Sequence, residues 1–252
     1  NTIKGSYRHR TLSVPRTHVR LAHGGGFDIR AGGMLEKDLM FSAQGDIPVA
    51  VFGSFVQGMA GASGTVKYSA EAQTQASRSV VNALVTLEDL GFPIDYNGQQ
   101  IQGVNGTIRV VDNQVLIDRV TGLLDSGAFT LDGRATLQRF KPSRMDVQLH
   151  AAKLPIVVPE TMDISVDGDI TLTAEGKRSL IEGDFALVEG TYYRDAEVSI
   201  LSGLFTRILR KPLPTQRGGY PALSWPLAPD TMLSVNLKRR GTVKVDNNMA
   251  QL

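Results

Sequence analysis

Apolar and polar residues alternate with period two through most of this chain, and that pattern excludes most architectures at once. Successive side chains of a strand point to opposite faces, so alternation marks strands with one face shielded and one wet. Met145, Val147, Leu149 and Ala151 share a phase, with Asp146, Gln148 and His150 on the other. The arrangement recurs at Phe129, Leu131, Gly133, Ala135 and Leu137, and at Ile164, Val166, Gly168, Ile170, Leu172 and Ala174. It recurs again at Ile181, Gly183, Phe185 and Leu187, at Ala196, Val198 and Ile200, and at Leu233, Val235 and Leu237. Tyr96-Asn97-Gly98, Asp112-Asn113, Glu175-Gly176-Lys177 and Glu189-Gly190 read as turns at hairpin spacing. A parallel α/β fold would need a helix of about ten residues or more after each strand, and almost none is present. The expectation is an all-β chain built as one long antiparallel sheet.

A degenerate repeat underlies the alternation: apolar, Asp/Asn/Glu, Gly, any residue, apolar, any residue, apolar. It reads Val104-Asn105-Gly106-Thr107-Ile108-Arg109-Val110, then Leu131-Asp132-Gly133-Arg134-Ala135-Thr136-Leu137. Further copies are Val166-Asp167-Gly168-Asp169-Ile170-Thr171-Leu172 and Ile181-Glu182-Gly183-Asp184-Phe185-Ala186-Leu187. The intervals between these glycines are irregular, which excludes a fixed-period solenoid and suggests hairpins of variable length. Each glycine falls on the apolar phase inside a strand, where a missing side chain marks a bulge, a bend or close backbone approach. Repeated at one phase, it lets a wide sheet curl.

Two segments break the period. Phe52, Phe55, Val56 and Met59 follow helical spacing after Pro48, although Gly53 and Gly58 weaken a helix there. Leu201, Leu204, Phe205, Ile208 and Leu209 form a clearer stripe, which predicts a short amphipathic helix over 201–211 ending in Arg207, Arg210 and Lys211. That helix suits a plug on the sheet or contact with a membrane surface. Pro212 and Pro214 stop it, and the proline-rich stretch 212–229 reads as an extended loop.

Composition removes several functions. With 27 Lys+Arg against 25 Asp+Glu, interspersed, there is no electrostatic footprint for nucleic acid. No cysteine is present, so disulfides, thiolate metal sites and cysteine nucleophiles are excluded. His9, His18, His23 and His150 lack ligand spacing, and no catalytic or cofactor motif occurs, Gly24-Gly25-Gly26 reading as a turn. Neither a cofactor nor an enzyme activity is expected. Asp167, Asp169, Glu182 and Asp184 are read as solvated charges of the polar face rather than a glycosidase pair. No run is long and apolar enough for a membrane-spanning helix, and the polar start at Asn1 is not a signal peptide. The expectation is that residues 1–252 are one continuous segment of a longer protein, with any anchor outside it.

The stretch Val166 to Leu172 followed by Ile181 to Tyr193 resembles the C-terminal region of the TamB family, within the AsmA-like superfamily. The Phe41 to Tyr68 stretch, with Gly64-Thr65-Val66 opening a strand, is similar to the same family. The resemblance implies a β-taco, a long sheet curled around an apolar groove. It implies a place in the periplasm of a Gram-negative bacterium, with the full-length protein anchored in the inner membrane. It also implies work with TamA, a BamA-like outer-membrane partner, in outer-membrane protein assembly and phospholipid transport. The groove would then be lined by Ile108, Val110, Phe129, Leu131, Met145, Val147, Leu149, Ile164, Val166, Ile170, Leu172, Ile181, Phe185, Leu187, Val198, Ile200, Leu233, Val235 and Leu237. Its cargo would be phospholipid or unfolded outer-membrane protein strands. A closed β-sandwich with a polysaccharide-binding or adhesive role would bury the same residues as a core. Carbohydrate sites favour exposed aromatics, and 6% aromatics with the single Trp225 count against that alternative.

Overall fold

The computed structural model describes residues 5–21, 24–34, 37–54, 59–75, 78–94, 98–138, 141–158, 162–176, 178–193, 230–247 and 250–251. The expected strand at Ala196, Val198 and Ile200, the helix with Leu201, Leu204, Phe205, Ile208 and Leu209, and the loop 212–229 lie outside the described residues.

The described chain is all-β, in fourteen strands that follow one another across a single sheet in sequence order. They are β1 Ser6–Arg8, β2 Thr11–Arg20, β3 Gly26–Met34, β4 Met40–Pro48, β5 Ser63–Gln75, β6 Arg78–Pro93 and β7 Gln100–Val111. Then come β8 Gln114–Leu124, β9 Gly127–Gln138, β10 Lys141–Val158, β11 Met162–Glu175, β12 Arg178–Tyr192, β13 Asp230–Asn247 and β14 Ala250–Gln251. A sandwich would need two sheets packed face to face; the described strands form one.

Three expectations are corrected. The β12–β13 pair is parallel, with Ile181 beside Leu233 and Phe185 beside Leu237, so the sheet is only mostly antiparallel. The long connection 193–229 makes this feasible, since a parallel pair needs a crossover of a dozen or more residues. Glu189-Gly190 is not a turn but lies inside β12. A Cβ on Gly190 would sit 2.8 Å from the Asp163 carbonyl oxygen, so this glycine serves close approach of β11. The stretch after Pro48 forms a 3-10 turn, Val49–Ser54, rather than a regular helix.

Buried apolar residues are few. Val49 and Ala62, from the β4–β5 connection, cluster with Leu90, Val104 and Val120, with Met59, Phe92, Ile101 and Phe129 packed alongside. Among the described residues no large side chain is fully buried. What holds the sheet together is therefore its ladders more than a central core.

The ladders carry β-bulges. Two residues oppose one where Leu87 and Leu90 of β6 pair with Gly106 and Val104 of β7. The same occurs where Ile117 and Val120 of β8 pair with Gly133 and Leu131 of β9. A third copy has Ala151 and Leu154 of β10 paired with Gly168 and Val166 of β11. In each, the bulge is on the strand facing the repeat's glycine, not on the glycine's own strand. The second bulged residue takes a left-handed backbone: Asp89 at φ 49°, Arg119 at φ 44° and Lys153 at φ 52°. Residues with a Cβ are strained in that region, glycine is not. Lys153→Gly is accordingly expected to stabilise the chain by about 0.5–1 kcal/mol, read as a higher urea midpoint with an unchanged slope.

Candidate functional site

Paired residues in a sheet project to the same side, so the registers decide which side chains share a face. Starting from β10, Met145, Val147 and Leu149 pair with Ala135, Gly133 and Leu131 of β9, and Ala151 with Phe129. On the other side they pair with Ala174, Leu172 and Ile170 of β11, and beyond the bulge Ile156 pairs with Ile164. Val166, Gly168, Ile170 and Leu172 continue to Leu187, Phe185, Gly183 and Ile181 of β12. From there the face passes to Leu233, Val235 and Leu237 of β13. Toward the other end, Ile108 and Val110 of β7 pair with Ile117 and Val115 of β8. They also pair with Val85 and Ala83 of β6.

One register thus gathers Ile108, Val110, Phe129, Leu131, Met145, Val147, Leu149, Ile164, Val166, Ile170, Leu172, Ile181, Phe185, Leu187, Leu233, Val235 and Leu237 on one face. Val198 and Ile200 lie outside the described residues. The face extends past the residues singled out in the sequence: Tyr68 of β5 pairs with Val85, and Phe41 of β4 with Ala72. Phe27 and Ile29 of β3 carry it further, opposite Gly45 and Ala43. The same period-two signal runs through those strands and would have found them.

Most of this face is half-buried rather than enclosed. Leu233 remains 42% and Leu237 50% exposed on β13. Burial pushes the Tyr68 phenol above its ordinary value, as desolvation disfavours its ionised form. A Tyr192 hydroxyl is buried at the β12 end of the face without a hydrogen-bond partner.

The opposite face is a cross-strand ladder of charge. Lys67 Nζ meets Glu88 Oε1 at 2.6 Å, Arg109 Nη2 meets Asp118 Oδ2 at 2.8 Å, and Arg144 Nη2 meets Glu175 Oε1 at 2.6 Å. Such exposed pairs add little stability, but they keep this side wet. Asp169 Oδ1 accepts from the His150 ring Nδ1 at 2.7 Å, and Asp184 Oδ1 accepts from Asn236 Nδ2 at 3.1 Å. On β3, the bonds from Arg16 and then His18 hold the Asp28 carboxyl below the ordinary carboxylate range. Its contribution is present above the unfolded value and fades only as pH falls through the lowered folded one.

A sheet with one continuous apolar side and one ion-paired side offers a water-avoiding surface backed by a wet one. A family model for the TamB C-terminal domain matches residues 118–250, more than half of the chain. No curated protein and no solved structure gives a significant match. The match spans β8 to β13, the stretch where the apolar face is longest and the repeat densest. The chain belongs to the TamB C-terminal domain family, non-enzymatic transport and assembly proteins of the translocation and assembly module that serves outer-membrane biogenesis.

Proposed function

We propose that the apolar face is the working surface of this chain: the sheet curls into a β-taco, and its groove shelters phospholipid acyl chains crossing a Gram-negative periplasm. The observation that carries the reading is the single register that joins the apolar phases of β2 through β13 without interruption. Eleven strand-to-strand steps at roughly 4.8 Å make this face about 50 Å long. A bare apolar surface of that extent calls for a guest or a fold-over. Curling is supported by a hydrogen bond from Gln99 Nε2, in the β6–β7 connection, to Pro155 O of β10, 3.0 Å long, which reaches past β8 and β9. An acyl chain of some 16 carbons crossing water unprotected loses about 12 kcal/mol of shelter; a continuous groove removes that barrier.

In this reading residues 1–252 work as one segment of an inner-membrane-anchored protein whose outer-membrane partner is the BamA-like TamA. Unfolded outer-membrane strands are a second cargo: β14 is two residues long and pairs with β13 at Asp246 and Asn247, and a sheet can take up added strands at its end. Native mass spectrometry of the purified chain is expected to show bound phospholipid that detergent exchange removes. A chain that never carries lipid, in any preparation, contradicts the groove.

A further inference from the structure

We propose that Asn105, Asp132 and Asp167 are positioning residues for the groove: each locks a β-bulge in the neighbouring strand, and together the locked bulges form the crease along which the sheet folds. This rests on the groove proposed above and names what shapes it.

The geometry is the same three times. Asn105 faces the bulge Glu88-Asp89, Asp132 faces Asp118-Arg119, and Asp167 faces Ala152-Lys153. In each, the N–H of the left-handed residue donates to the facing side chain: Asp89 N to Asn105 Oδ1 at 3.0 Å, Arg119 N to Asp132 Oδ1 at 3.1 Å and Lys153 N to Asp167 Oδ1 at 2.9 Å. A bulge takes backbone groups out of the ladder, and these acceptors replace the lost partner. The glycine that follows lets the strand on the other side come close, since a Cβ on Gly106 would lie 2.7 Å from Val120 Cα of β8. The Asx-Gly pair of the repeat is therefore a lock and a clearance side by side. The fourth copy fits the rule by contrast: Glu182, one methylene longer, stands opposite Thr171 in a regular stretch with no bulge.

A bulge bends its strand and increases the local twist. When neighbouring strands bulge near one another, the whole sheet bends there. The row holds its level from β6 to β9 and then steps along the strands, because Asp132 pairs with Gln148 while the next bulge lies at Lys153. The crease is thus oblique. Burial follows it: Leu90, Val104, Val120, Ala151 and Val166 are 0–9% exposed, and each adjoins a bulge or its Asx. On β6 to β11 the one other buried apolar side chain is Met162, among the described residues. Val49 and Ala62 of the β4–β5 connection lie over Leu90, Val104 and Val120 at one end of this row, and Ala151 and Val166 continue it.

The test uses the absence of cysteine. Ala128→Cys and Gln138→Cys place spin labels at exposed positions of β9 on either side of Asp132. Ten residue steps of straight strand span about 34 Å, so a creased β9 gives a shorter separation. Deleting Asp89, Arg119 and Lys153 leaves strict alternation with no bulge, and the separation is expected to lengthen by several Å toward that value. Asp132→Ala is expected to lengthen it as well, whereas Asp132→Asn keeps the parent separation because its carbonyl Oδ1 accepts the same bond. If Asp132→Ala does not fold, the deletion variant carries the test. The parent separation in every folded variant overturns the crease. Native mass spectrometry on the same proteins should show a severalfold loss of bound phospholipid in the deletion variant. A lengthened separation with unchanged lipid upholds the crease and overturns the lipid reading.

Discussion

A charge at Val147 or Ile170 is expected to empty the proposed groove of lipid while the sheet stays folded. Val147 stands between Gly133 and Leu172, and Ile170 between Leu149 and Gly183, both in the middle of the apolar face. Neither is fully enclosed, so Val147→Asp or Ile170→Arg reaches water in the empty protein and the ladders on both sides remain intact. Against a bound acyl chain the same charge has no water and no partner, which costs several kcal/mol. As about 1.4 kcal/mol is tenfold in affinity, lipid carried by either variant should fall by roughly a hundredfold or more. The checks are circular dichroism for the fold and mass spectrometry for the lipid. Normal lipid content in a folded variant would place the cargo elsewhere.

Gly106→Val is expected to cost the chain about 3 kcal/mol of stability, at the upper end of the loss seen when a side chain is forced into filled space. Its Cβ would meet Val120 at both Cα and Cγ2, at 2.7 Å each, and the former is backbone that cannot swing aside. Gly133→Val behaves alike, with Val147 Cα at 3.0 Å and Asp146 O at 2.9 Å. Gly176→Ala serves as the control, because its position at φ 61° in the β11–β12 turn has nothing within 4 Å and only the milder left-handed strain. Urea unfolding distinguishes them: the two valine variants lose far more than the turn variant. Equal losses would mean that the close approach at Gly106 and Gly133 is not what those glycines provide.

The alternation fixes which side chains share a face, and the described residues expected to line a groove meet on one face because strand pairing preserves phase. The bulges too are written in the sequence. The apolar phase slips by one residue between Leu87 and Leu90, between Ile117 and Val120, and between Ala151 and Leu154. Each slip precedes an Asx-Gly pair on the next strand, and reading the two together would have located all three bulges. The Asp residues were legible as polar-face charges, but a side chain that accepts a bond from a neighbouring strand's backbone has the same period as one that faces water.

Other features leave no periodic trace. Whether β13 runs parallel or antiparallel to β12 depends on where the connection 193–229 delivers the chain, and period two is identical for both directions. Glu189-Gly190 has the composition of a turn, yet Gly190 is needed there for the approach of Ile164. At Val49–Ser54 the apolar spacing suits a helix, while the chain makes a 3-10 turn that lays Val49 on the Leu90, Val104 and Val120 cluster, with Gly53 close against the Met59 carbonyl.

Leu149 and Gln148 are adjacent in β10 and point to opposite sides of the sheet, one onto the apolar face and one exposed among the charges. A photoreactive phenylalanine analogue introduced at either site, irradiated in living cells fed labelled phosphate, reports directly on which side meets lipid. A groove on the apolar face gives labelled phospholipid on the chain from position 149 and little from position 148. Equal labelling at the two positions, or none at either, would contradict it.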